Sequence, residues 1–331
     1  PPRPGRGLKT VAAPVLALAL AICGSSGHAL VTPPVEQRET ITESIEQLEQ
    51  RHYATLDYDD RLSSQHLDNY IDKLDGGKMF FTADEVASFE VYRLTMDEAL
   101  ERGDLDAGFE IFNRFHELLK VRLSKVIDEL PAVVEGFDFT RDETYVLDGE
   151  ERGWASDAAE LEERWRLHIK NQVLSLRLAD KAEDEIASTL LKRYRNQLNR
   201  VEQYNAQDAF QIYANALTEL YDPHTNYFSP RRSENFNINM RLSLEGIGAV
   251  LQLEDEYTKV ARIVPAGPAD KQGELNPSDR IIAVAQGTDG LFEDVIGWRL
   301  DEVVETIRGP KDSTVRLQVL PAKGGADAEP K

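Results

Sequence analysis

The chain has 331 residues, 59 of them acidic and 38 basic, for a formal net charge of −21 at neutral pH. That length exceeds one average domain and is enough for at least one substantial core. The charge argues against nucleic acid or an anionic membrane surface as the main partner, because both select a basic face.

Arg3, Arg6 and Lys9 precede an apolar run from Val11 to Cys23, and small or polar residues follow as far as Ala29. The run is too short to cross about 30 Å of hydrocarbon comfortably. Residues 1–29 are therefore expected to be a secretory signal peptide. Acylation at Cys23 is the competing reading, but Ile22 stands where that pattern takes a small residue. Removing the signal deletes three basic residues and no acidic one, so the remaining chain becomes more acidic still. Cys23 is the single cysteine, and its loss excludes disulfides, thiolate zinc sites and a cysteine nucleophile. The expected class is an acidic protein of the periplasm of a Gram-negative-type envelope, with no stable membrane span once the signal is removed. The chain does not begin with Met, and it is expected to be a fragment.

From Val35 to Leu220 the pattern is helical. Phe112, Phe115, Leu119, Leu123, Val126 and Leu130 recur at three- and four-residue spacing, and Pro131 is expected to stop that helix. Ile186, Leu190, Tyr194, Leu198 and Val201 form a second stripe, and Phe210, Tyr213, Leu217 and Leu220 a third. Such stripes are core seams. His116-Glu117-Leu118-Leu119-Lys120 lacks the second imidazole that a zincin helix needs, so His116 is expected at the surface or in a cap. His52, His66, His168 and His224 stand singly. The acidic runs 57–60 and 160–163 lack calcium-loop spacing and are expected to be solvated faces. No metal and no cofactor is assigned.

Asp222-Pro223 and Ser229-Pro230 each force turn or extended geometry, so the helices are expected to end near Tyr221. A connector over 222–242 leads into strands at 248–253, 257–264, 280–285 and 314–320, with helices at 266–271 and 300–307. That order makes a small α+β barrel. The expected organisation is a helical domain over 30–221, the connector, a barrel domain over 243–321 and a polar tail over 322–331.

The candidate site lies where the barrel begins. Gly246-Ile247-Gly248 lacks the third glycine or the Lys-Ser/Thr pair of a nucleotide loop. A bend of that kind can instead turn successive backbone amides into one anion-binding concavity. The strand beginning Ala249, Val250, Leu251 would leave an edge open to an incoming extended peptide, and Leu300, Val304 and Ile307 would supply an apolar wall. Gly246, Ile247 and Gly248 are thus the candidate carboxylate binders. The other six residues are the candidate strand and pocket.

Residues 243–321 resemble a PDZ domain. Together with Asp222-Pro223-His224-Thr225-Asn226-Tyr227-Phe228-Ser229-Pro230, "LSLEGIGAVLQ", "DVIGWRLDEVVETIRGPK" and "VRLQVLPA", the chain resembles the tail-specific, or C-terminal processing, peptidases of the bacterial periplasm. Its helical half resembles that family's N-terminal domain. One departure is Ser278, where the family usually has glycine before Asp279. The resemblance implies a serine endopeptidase with a Ser/Lys dyad, whose PDZ domain captures apolar C-terminal tails of protein substrates. In the family the dyad follows the PDZ domain, so no catalytic residue is assigned here and the chain is expected to bind without cleaving. The alternative is a non-enzymatic envelope adaptor or scaffold. An envelope adaptor protein is a further candidate partner.

Overall fold

The computed structural model describes residues 30–241, 246–322 and 329–331. The expected signal peptide lies outside the described residues, as do Leu242 to Glu245 of the quoted barrel motif.

The first part is helical: α1 Val35–Arg51, α2 Asp60–Asp75, α3 Ala83–Ser88, α4 Met96–Glu101, α5 Asp106–Glu135, α6 Ala158–Leu178, α7 Glu183–Glu202 and α8 Ala206–Tyr221. Local chemistry sets several starts. Asp59 accepts from the Leu62 amide ahead of α2, Asp157 from the Glu160 amide ahead of α6, and Asn205 forms a reciprocal capping box with Asp208 at α8. Each satisfies amides that the first turn leaves without a partner. One stripe of α5 is buried from Phe109 to Val134, including all six residues of the expected seam. That helix packs against α7, and α2 packs against α8.

Pro131 does not stop α5, which runs one further turn to Glu135. The proline is exposed and its missing amide removes one helical partner from the Ile127 carbonyl, while Val134 is buried and keeps the turn in place. His116 is not at the surface either. It is 8% exposed and bonds through Nε2 to the Val201 carbonyl at 2.8 Å, tying α5 to the end of α7. The stretch after Tyr221 is only partly irregular, because α9 forms over Pro230–Arg241. Ser229 and Pro230 read as breakers in sequence but act as a helix start. The Ser229 side chain accepts from the Arg232 amide at 3.3 Å, and Pro230 occupies a first-turn position where no amide is needed.

The barrel comprises β1 Ala249–Glu254, β2 Tyr257–Ile263, α10 Pro268–Gln272, β3 Arg280–Gln286, β4 Glu293–Asp294, α11 Leu300–Ile307 and β5 Val315–Leu320. All pairings are antiparallel. The order is β1-β2-β3-β4, with β5 also on β3, so β1 ends the sheet. The expected elements are all present, and only the two-residue β4 had no signal in sequence. Val260, Ile281, Val284, Val303, Ile307 and Val319 form the separate core of this domain.

Ser278, the residue in place of glycine, adopts φ 71°. Its amide bonds to the Val260 carbonyl at 2.7 Å, and buried Asp279 accepts from the Asn276 and Ala322 amides at 2.9 and 3.0 Å. The turn is therefore kept, with a side chain in a region that favours glycine. Ser278→Gly is expected to raise stability by about 0.5–1 kcal/mol, the relief of left-handed strain less the added freedom of the unfolded chain. Urea unfolding checks this, and an unchanged or lowered midpoint contradicts it.

His66 generates a pH prediction. It is fully buried, with Nδ1 at 2.8 Å from the Tyr58 hydroxyl and Nε2 at 3.0 Å from the Tyr213 carbonyl. The carbonyl can only accept, so the neutral ring carries its proton on Nε2 and accepts from Tyr58 at Nδ1. Burial lowers its pKa from 6.5 to about 4. The unfolded chain binds that proton first as pH falls, so the contribution is complete above about pH 6.5 and is lost towards pH 4, a change of roughly 3 kcal/mol. An NMR titration should find the imidazole neutral at pH 5, and a ring already charged there contradicts the assignment.

Candidate functional site

The loop before β1 is held from behind by two hydrogen bonds. The Ala269 amide, in the first turn of α10, donates to the Ile247 carbonyl at 2.8 Å, and the Val264 amide donates to the Gly248 carbonyl at 2.8 Å. There is no cis peptide bond among the described residues. In a trans peptide the carbonyl and the next amide point in opposite directions. Because the carbonyls of Ile247 and Gly248 turn inward, the amides of Gly248 and Ala249 must turn outward. Among the described residues, the amides of Gly246, Ile247 and Gly248 donate to no acceptor.

Gly248 makes this arrangement possible. Its φ is 75°, and a β-carbon there would lie 3.0 Å from both Gly267 Cα and Pro268 Cδ. Gly267 is equally confined, since its own β-carbon would lie 3.0 Å from the Val264 carbonyl and 3.2 Å from Gly248 Cα. Two backbones thus meet where a side chain on either would separate them.

From this loop β1 runs along the end of the sheet. One side is paired with β2, through Ala249↔Ile263 to Glu254↔Tyr257, and no described strand pairs the other side. Ala249 and Leu251 face inward and pack on the barrel core, whereas Val250 is exposed. Helix α11 lies against β1. Its residues divide between two faces. Val303 and Ile307 are buried in the core, while Leu300 and Val304 remain half-buried outside it. Of the three expected wall residues, Leu300 and Val304 are therefore accessible, and Ile307 lies beneath them.

The direction of α11 is set at its entry. Gly297 donates to the Glu256 carbonyl at 2.7 Å, which brings the start of α11 to the β1–β2 hairpin. Leu300 thus lies towards the hairpin end of the groove, and Val304 lies nearer the glycine loop. That same entry meets the helical domain. Arg299 makes a two-pronged ion pair with Asp208, at 2.6 and 3.1 Å, and Gln203 donates to the Gly297 carbonyl at 2.6 Å. Lys192 of α7 pairs with Asp255 at the hairpin tip at 2.9 Å and holds that carboxyl below its usual range.

The family model for the tail-specific protease N-terminal domain matches residues 44–231, and that for the PDZ domain matches residues 235–320. The chain belongs to the tail-specific protease family. It is 38% identical to the tail-specific protease of Haemophilus influenzae over 279 residues, which are 84% of this chain and 40% of that protein. It is 32% identical to the carboxy-terminal processing protease CtpB of Bacillus subtilis over 103 residues, 31% of this chain and 20% of that one. The chain thus spans well under half the length of these tail-specific and processing proteases. Among solved structures it is similar to the PDZ domain of a carboxy-terminal protease from Vibrio cholerae, determined in complex with a peptide. That similarity has 51% identity and a TM-score of 0.25, covering 27% of this chain and 87% of that one.

Within the PDZ domain, sequence reasoning grouped Gly246, Ile247 and Gly248 and left Ala249 to strand pairing. The peptide planes instead put the Ala249 amide beside that of Gly248. Its signal was its place, the first residue after the second glycine. Gly267 also went unnoticed, although Gly267-Pro268 is the surface on which Gly248 rests. Gly248→Ala is expected to cost about 1–3 kcal/mol, from the left-handed backbone and the contact with Gly267. Gly153→Ala, with nothing within 4 Å, should stay within about 0.5 kcal/mol of wild type. Equal unfolding midpoints for the two variants contradict the packing described.

Proposed function

We propose that this chain is the substrate-recognition portion of a C-terminal processing serine endopeptidase, and that its PDZ groove binds apolar, free C-termini of other proteins. The outward amides of Gly248 and Ala249 carry the proposal. A terminal carboxylate accepts charge-assisted hydrogen bonds from such amides, and the chain ahead of it extends along the unpaired side of β1 as an added strand. The last side chain then rests against Val304 above Ile307, and the one two residues earlier is placed nearer Leu300. Gly246 and Ile247 complete the concavity, and Ala249, Val250 and Leu251 supply the backbone edge.

In this reading the described residues serve capture, and none of them is assigned to the family's Ser/Lys dyad, which would carry out the cleavage. The compartment is the periplasm, reached through the signal peptide expected at residues 1–29. No described helix is long and apolar enough to cross a membrane.

The net charge of −21 does not oppose capture of an anion. Charges beyond about 8–10 Å are largely screened at physiological salt, whereas a hydrogen bond to a charged group contributes about 1.5–3 kcal/mol. A fluorescent peptide ending in Ala-Ala with a free carboxylate is therefore expected to bind roughly 10- to 100-fold more tightly than its amidated twin. Fluorescence anisotropy measures both, and equal affinities overturn the proposal.

A further inference from the structure

A strand bound along β1 leads towards α7 of the helical domain, which carries a short basic stretch within an acidic chain. Over six residues β1 extends about 20 Å, so a ligand whose carboxylate sits at Gly248 reaches the β1–β2 hairpin about six residues before its end. The hairpin tip is held by α7. Lys192 and Asn196, one turn apart, both reach Asp255, at 2.9 and 3.5 Å.

From Lys192 to Arg200, α7 has four basic residues and no acidic one, in a chain whose net charge is −21. Lys192 is taken by Asp255. Arg193, Arg195 and Arg200 are exposed and have no ion-pair partner among the described residues. Arg193 and Arg200 lie three residues before and four after Asn196, on the helical face beside the hairpin contact. On the groove reading, the upstream part of a bound chain leaves beside the hairpin tip that Lys192 and Asn196 hold, and Arg193 and Arg200 are the neighbouring cations of that helix face.

We propose that Arg193 and Arg200 form a second recognition point, selecting ligands with acidic residues about seven to ten positions before the apolar C-terminus. This rests on the groove reading above, which fixes the direction of the bound strand. The PDZ groove identifies a free chain end, and the helical domain reads the charge of the segment leading to it. Exposed ion pairs are individually weak, so two or three acidic residues should improve affinity by about five-fold at low salt, and much of that should vanish near 1 M salt.

Peptides sharing one apolar C-terminal hexapeptide with a free carboxylate, and carrying Asp, Ser or Lys at the seventh to tenth positions from the end, should be titrated into the full chain by anisotropy. The Asp peptide is expected to bind about five-fold more tightly than the Ser peptide, and the Lys peptide more weakly than both. Arg193→Gln with Arg200→Gln should abolish the ranking without changing affinity for the Ser peptide. Arg200→Glu should favour Lys over Asp. Equal affinities in wild type, or a ranking that survives the double substitution, overturn the inference and leave the groove reading standing. If the Ser peptide and its amidated twin bind alike, the groove reading fails and this inference fails with it.

Discussion

Two inward hydrogen bonds at the start of β1, from Ala269 to the Ile247 carbonyl and from Val264 to the Gly248 carbonyl, set the character of the site. They spend both carbonyls on the protein's own framework and leave the following amides facing away from it. The rest of the domain maintains that orientation. α10 presents the Ala269 amide, the residue after β2 presents the Val264 amide, and Gly267 lets the two segments approach to backbone contact. With no side chain at Gly248, the outward face is backbone only, which suits a ligand recognised by its main chain and terminal charge.

The fold was largely legible because its signals are local. Stripes at three- and four-residue spacing marked α5, α7 and α8, and β1, β2, β3 and β5 fall on the strands expected at 248–253, 257–264, 280–285 and 314–320. Where sequence misled, a local rule met a tertiary exception. Pro131 is tolerated because it faces water one turn from a helix end anchored by Val134. Ser229-Pro230 contains both a helix-breaking and a helix-starting signal, and only the capping geometry distinguishes them. His116 looked like a failed metal ligand, yet its role is to hold a carbonyl on a neighbouring helix, a partner 85 residues away that periodicity cannot reveal.

The candidate site was legible in outline but not in detail. Twin glycines announced an open bend, but which amides face outward depends on which carbonyls are held inward, and those partners lie beyond the next strand. The apolar spacing of α11 likewise identified a buried helix without saying which residues reach the surface. Packing decided that, placing Val303 and Ile307 in the core and leaving Leu300 and Val304 half-buried. The contacts of Arg299 with Asp208 and of Lys192 with Asp255 had no signal, since each is one charged residue among many. They make the helical domain part of the groove's surroundings, with the wall helix and the hairpin each attached to it at one end.

The central claim is that the amides of Gly248 and Ala249 grip a chain terminus. Amide hydrogen exchange followed residue by residue by NMR, with and without a peptide ending in Ala-Ala, tests it most directly. Slowed exchange at both amides on binding is the predicted result, whereas a peptide that binds and leaves both exchanging as before contradicts the account.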